Sequence, residues 1–137
     1  MLPVCPKCHV ALFVLSLNEV EIDFCQQCRG VWLDAGELEN LIGRADTKSV
    51  DPLAQFQKLN GFIPRGPKSL CPRCDRPLEE ISSQRGDQKA LTLDRCPQGH
   101  GLWFDAHELE ELLAAFPKER NISKTIDYLN QIFNVKV

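Results

Sequence analysis

The chain has 137 residues, 43% of them hydrophobic and 7% aromatic, and a net charge of −3. That length admits one ordinary domain or two very small ones, and units of about 40 to 50 residues need a staple such as a metal or a disulfide. The charge excludes the basic footprint that a phosphate backbone demands, and the longest apolar run, Val10 to Leu15, is too short to span a bilayer.

The first element is the pair Cys5-Pro6-Lys7-Cys8. A strand is expected from Leu12 to Leu17. A second follows where Val20, Ile22 and Phe24 alternate with Glu19, Glu21 and Asp23, the period of two of a half-buried strand. Cys25 and Cys28 then form another C-x2-C pair. After Gly30-Val31-Trp32-Leu33, Asp34 and Glu37 have the spacing of an Asp variant of the capping box, and Leu38, Leu41 and Ile42 share one face of a short helix. Residues 1–43 make the first unit.

Residues 44–70 form a basic connector. Asp51-Pro52 starts a short helix to Leu59, and Asn60-Gly61 and Pro64-Arg65-Gly66-Pro67 read as irregular chain. Residues 71–116 then repeat the first unit. Cys71-Pro72-Arg73-Cys74 matches Cys5-Pro6-Lys7-Cys8 at an offset of 66, and Gly101-Leu102-Trp103-Phe104-Asp105 matches Gly30-Val31-Trp32-Leu33-Asp34 at an offset of 71. The five extra residues fall around Ser83 to Gln88, where Gly86-Asp87 marks a longer hairpin turn between a strand from Leu78 to Ser82 and one carrying Leu91 and Leu93. Asp105 and Glu108 repeat the helix start, with Leu109, Leu112, Leu113 and Phe116 on one face. Residues 117–137 end the chain, with Ile122, Ile126, Leu129 and Phe133 on the face of a C-terminal helix.

Charge follows the same division. Residues 1–43 carry two basic and six acidic side chains, residues 44–70 five and two, residues 71–116 five and nine, and residues 117–137 four and two. Both repeats are acidic; the connector and tail are basic.

The seven cysteines carry the chemistry. The N-terminal Met1-Leu2-Pro3-Val4 has no basic segment ahead of an apolar stretch, so a cytoplasmic protein is expected, and an odd count in a reducing compartment favours metal ligands over disulfides. Cys5, Cys8, Cys25 and Cys28 supply two knuckles that close a tetrahedral shell around zinc. The second repeat keeps Cys71, Cys74 and Cys96, and His100 stands one place beyond the position of Cys28, giving a set of three cysteines and one histidine; the competing reading is that this repeat has lost its metal. Eight ligands imply two Zn²⁺ per chain, lost separately on acidification because the ligand sets differ. Two C-x2-C pairs also suit iron, which colour would reveal. His9, which matches Asp75, and His107, which matches Gly36, are expected to be non-ligands. Trp32 and Trp103 are either exposed stacking groups or, the stronger reading, packing that seals the sulfurs from water. Asp34 and Asp105 are caps rather than catalytic carboxylates.

Cys-Pro-x-Cys followed by Cys-x2-Cys-x-Gly-x-Trp-Leu-Asp-x-Gly-Glu-Leu resembles the transcription factor IIB-type zinc-finger family, here in two tandem copies, from Cys5 to about Ile42 and from Cys71 to about Leu113. The resemblance implies zinc ribbons and a link to transcription. The expected fold is a small, metal-stabilised α+β: two tandem zinc ribbons, each followed by a short helix, plus the C-terminal helix. Closed metal shells and the lack of a triad, phosphate loop or dinucleotide fingerprint lead us to expect no enzyme activity. The expected role is a protein-interaction or adaptor module with an unidentified protein partner and no membrane association. The alternative is a nucleic-acid-binding zinc ribbon, supported by Arg44, Lys48, Lys58, Arg65 and Lys68 in the connector but opposed by the acidic repeats.

Overall fold

The computed structural model describes residues 3–17, 20–37, 59–85, 88–105 and 108–109. Within them are six strands: β1 (Phe13–Leu17), β2 (Val20–Phe24), β3 (Val31–Asp34), β4 (Glu79–Arg85), β5 (Gln88–Arg95) and β6 (Gly101–Phe104). They form a single antiparallel sheet in the order β1-β2-β3-β6-β5-β4. Each repeat contributes three strands, and the two halves meet along β3 and β6.

The register of that seam is Val31 with Phe104, Trp32 with Trp103, Leu33 with Leu102 and Asp34 with Gly101. Trp32 and Trp103 are equivalent in the repeat, so the seam is a pseudo-twofold axis with one tryptophan from each half directly opposite the other. The seam continues past the strands, where Ala35 N–H donates to His100 C=O at 2.9 Å. β3 and β6 were not expected as strands. Val31–Asp34 and Gly101–Phe104 are almost wholly buried, so the alternation that marks a half-exposed strand is missing from both.

Alternation and register divide the sheet into two faces. One carries Asp23, Trp32, Trp103 and Asp94. The other carries Ile22, Phe24, Val31, Leu33, Leu93, Leu102, Phe104 and Ile81, all buried. The outer hairpins agree with the sequence. β2 runs over the alternating segment, and β4 and β5 are longer than β1 and β2, with a register shift between Ser83 and Arg85 where the extra residues lie. The connector is less irregular than expected: Phe62 forms an isolated antiparallel bridge with Glu80 of β4.

The helix expected between Asp51 and Leu59, the bodies of the two helices after Glu37 and Glu108, and the C-terminal helix lie outside the described residues. Their entry points are seen. Asp34 N–H donates to Glu37 Oε1 at 2.9 Å, and Asp105 N–H to Glu108 Oε2 at 3.0 Å, the backward bonds of two capping boxes.

The Gly-x-Trp motif is explained by the seam. A Cβ on Gly30 would stand 2.2 Å from Cζ2 of Trp103, and a Cβ on Gly101 would meet the Leu33 carbonyl oxygen at 2.2 Å and Cζ2 of Trp32 at 2.8 Å. Each repeat's glycine thus makes room for the other repeat's indole. Gly30→Ala is expected to destabilise the zinc-loaded protein by about 2 kcal/mol in denaturant unfolding. Combining it with Trp103→Leu should cost less than the two changes added together, because the smaller side chain frees the space the new methyl needs.

Candidate metal centres

Each knuckle is a tight turn closed by main-chain bonds. His9, Arg29 and Asp75 follow the second cysteine of their knuckles, each at positive φ (62, 65 and 59°), and their N–H groups return to the carbonyls of Cys5, Cys25 and Cys71 at 3.0, 2.8 and 2.9 Å. His9 is therefore a turn residue. The turn also points amides at sulfur: Lys7 and Cys8 N–H at Cys5 Sγ (3.4 and 3.3 Å), Cys28 N–H at Cys25 Sγ (3.5 Å) and Arg73 N–H at Cys71 Sγ (3.3 Å). Donors aimed at sulfur favour thiolate over thiol.

The fourth knuckle is built differently. Its left-handed residue is Gly99, at φ +83°, whose N–H returns to Cys96 C=O at 3.0 Å. Gly99 stands where the first repeat has Cys28, and His100 where it has Arg29. The turn reverses one residue early, which frees position 100 to carry a ligand. His100 Nδ1 lies 3.3 Å from Cys96 Sγ.

The structure brings Cys5, Cys8, Cys25 and Cys28 into one group and Cys71, Cys74, Cys96 and His100 into another, the ligand atoms of each within 4.8 Å of one another. Cys5 and Cys28 sulfurs are 3.7 Å apart, as are those of Cys74 and Cys96, and all seven cysteines are free thiols. Zinc–sulfur bonds of about 2.3 Å at tetrahedral angles place sulfurs about 3.8 Å apart, so these two pairs already have the spacing the ion requires. Without metal, burial favours the neutral thiol at several of these positions. Burial pushes the Cys5 thiol up to about 11 and the Cys71 thiol to about 12, and raises Cys28 as well. A dication in each group replaces the protons and compensates the buried thiolate charge. The chain therefore has two zinc sites, one with four cysteine ligands and one with three cysteines and a histidine.

The tryptophans link the sites. Trp32 and Trp103 are fully buried and form one cluster with Leu12, Leu78 and the cysteines of both groups. They are packing groups, not exposed stacking groups. Their indole N–H groups donate to Asp34 Oδ1 (2.8 Å) and Asp105 Oδ1 (3.1 Å), so each aspartate satisfies a buried donor.

Charge crosses the axis in the same reciprocal way, and the sequence reading missed it. Lys7, inside the first knuckle, reaches Asp94 Oδ2 of the other repeat at 2.9 Å. Its counterpart Arg73 reaches Asp23 Oδ2 at 2.6 Å. Arg73 also grips Asp34 with two bonds, Nε to Oδ1 at 2.8 Å and Nη2 to Oδ2 at 2.7 Å. Asp23 is buried, and burial raises its carboxyl pKa against the pull of Arg73. Removing the partner of a fully buried carboxylate costs about 3–5 kcal/mol, and less here because Arg73 is 33% exposed. A basic residue inside both first knuckles and an aspartate two places before Cys25 and Cys96 were the available signals.

A six-stranded antiparallel sheet ending in two four-ligand zinc shells defines a tandem zinc-ribbon protein. A model of the transcription factor zinc-finger family matches residues 4–44 and again residues 70–115. The two segments cover more than half of the chain, and the protein belongs to that family. No curated protein and no solved structure matches it.

Two outcomes are expected. The sequence treats the sites as separate, but their shared cluster couples them. Elemental analysis should give two zinc ions per chain, and Cys74→Ser should weaken zinc binding at the intact four-cysteine site by about 5- to 150-fold in competition with a chelator. The second concerns Glu37. Burial, with Asp34 and Asp23 nearby, pushes its carboxyl from 4.5 to about 7, and its Oε2 is buried without a partner. A raised carboxyl keeps its proton in the folded protein after the unfolded chain has lost it. Its stabilising effect is therefore complete below pH 4.5 and is lost as pH rises towards 7. Between about pH 4.5 and 7, unfolding free energy should fall with rising pH more steeply in the native protein than in Glu37→Gln, which keeps the acceptor for Asp34 N–H.

Proposed function

We propose that the protein is an adaptor that binds another protein through a surface held in shape by its two zinc ions, and that it is not an enzyme. The observation that carries this reading is a set of exposed apolar side chains at the outer end of the first repeat: Val4 (43%), Val10 (39%), Phe13 (49%) and Val14 (58%). Exposed apolar side chains along one edge of a small ribbon suit a partner surface. Four protein ligands at each zinc leave no open position for water or substrate, which supports a structural role for the metal. The family's description as a transcription factor zinc-finger supports a partner from the transcription apparatus. Among the described residues no helix is long and apolar enough to cross a membrane. Seven free cysteines arranged for metal support a reducing compartment such as the cytoplasm.

A second reading, binding of nucleic acid, is favoured by the exposed Arg65 and Lys68 of the connector. It is opposed by the acidity of both repeats, since a backbone lying along them meets like charge.

Affinity purification of the intact zinc-loaded chain from its host separates the two. A specific protein should be retained after nuclease treatment at about 150 mM salt, where the screening length is about 8 Å, and lost when the metal is stripped. In a mobility-shift assay at the same salt we expect no specific complex. Sub-micromolar, salt-resistant binding to a defined nucleic-acid sequence would put the second reading first.

A further inference from the structure

The pseudo-twofold makes β1 and β4 equivalent as the two outer edges of the sheet. At the offset of 66, Val4, Val10, Phe13 and Val14 correspond to Leu70, Arg76, Glu79 and Glu80. The two edges are finished in opposite ways. On β4 the side chains are charged, with Glu79 paired to Arg95, and the edge is strapped by the connector. Phe62 N–H donates to Glu80 C=O at 3.1 Å, Glu80 N–H donates to Phe62 C=O at 2.7 Å, and Arg95 Nη2 donates to Leu59 C=O at 3.0 Å. The strap holds by main chain, because the Phe62 side chain remains 59% exposed.

On β1 no such cover exists among the described residues. The main-chain groups of Glu80 point outward to the strap, so those of Val14 point outward at the equivalent place, and those of Ser16 two residues on. Edge strands are ordinarily guarded by charge, proline, a bulge or a covering segment. β1, Phe-Val-Leu-Ser-Leu, carries neither charge nor proline, and its ladder with β2 is in regular register.

We propose that the β1 edge accepts an extended segment of a partner protein as a seventh strand, antiparallel to β1, as Phe62 lies against β4. This rests on the adaptor reading above and names its docking surface. Charge selects the occupant. The described residues of the β1–β2 hairpin include Glu21 and Asp23 and no basic side chain; Asp23 is held by Arg73, while Glu21 is exposed opposite Ser16. The incoming segment is therefore apolar with a Lys or Arg beside it, the composition of the strap itself, where Phe62-Ile63 is followed by Arg65 and Lys68. Two chains pairing β1 with β1 would bring two acidic hairpins together, which opposes a second copy as occupant.

The probe is a synthetic peptide copying residues 59–68, added to the full zinc-loaded chain. Binding is followed by affinity and by amide exchange at Val14 and Ser16. We expect protection of both amides, and at least a tenfold weaker affinity, about 1.4 kcal/mol, in Val14→Pro. That change removes one outward N–H and is tolerated on an edge strand, so zinc content should not change. Val14→Lys, which charges the edge without altering the backbone, should weaken binding in the same direction. Three outcomes overturn the proposal: no protection at about 1 mM peptide, equal affinity for native chain and both variants, or self-association of the native chain that Val14→Pro abolishes. A cellular partner retained equally by the native chain and Val14→Pro also overturns the edge as the docking site, while the adaptor reading stands.

Discussion

The fold depends on the crossing of Trp32 and Trp103 at the seam between β3 and β6. Among the described residues each half has three short strands, too little to bury both faces of its own third strand. Joined through that strand, the halves acquire a common interior in which Val31, Leu33, Leu102 and Phe104 are buried on one side and the two indoles on the other. Each indole occupies space left by the opposite glycine. Truncating a buried tryptophan costs about 3–5 kcal/mol. Here the loss would be felt in both halves, because both indoles share one cluster with the sulfurs of both sites.

Zinc and the seam solve complementary problems. Zinc fixes the ends of each hairpin, where turns leave little to pack, and its charge offsets the cost of burying thiolates such as those of Cys5 and Cys71. The seam fixes the middle. Lys7 and Arg73 tie the two together, since each sits inside a metal knuckle while its charge is spent across the axis. The match is not perfect. Arginine's fork spans Asp23 and Asp34, whereas lysine, a single point of charge, bonds Asp94 and the hydroxyl of Ser69.

What the sequence revealed was local. Cysteine spacing named the eight residues that the structure gathers into two groups, and alternation located β2 and its hairpin. The spacing of Asp34 and Glu37 announced the bond between them. What it hid was pairing at a distance. β3 and β6 are four-residue, mostly apolar stretches with no period of their own, and nothing in either shows that it lies against its own counterpart 71 positions away. Trp32 and Trp103 were legible as packing residues, but not as packing on each other's glycines. The strap at Phe62 was hidden by the Asn-Gly and Pro-Arg-Gly-Pro punctuation around it, which reads as loop although one residue between them pairs with the sheet.

The axis through the two tryptophans has a consequence for how such a protein can change. A symmetric pair of separate ribbons would meet only as often as their concentration allowed, and any substitution would appear on both sides at once. Carried on one chain, the halves find each other at a high effective concentration that dilution does not alter. Each position can then vary once. The Phe13–Phe24 pair of one half has as its counterpart the Glu79–Arg95 pair of the other, and Cys28 gives way to Gly99 and His100 without disturbing its twin. Covalent linkage lets one pseudo-symmetric shape carry two different ends.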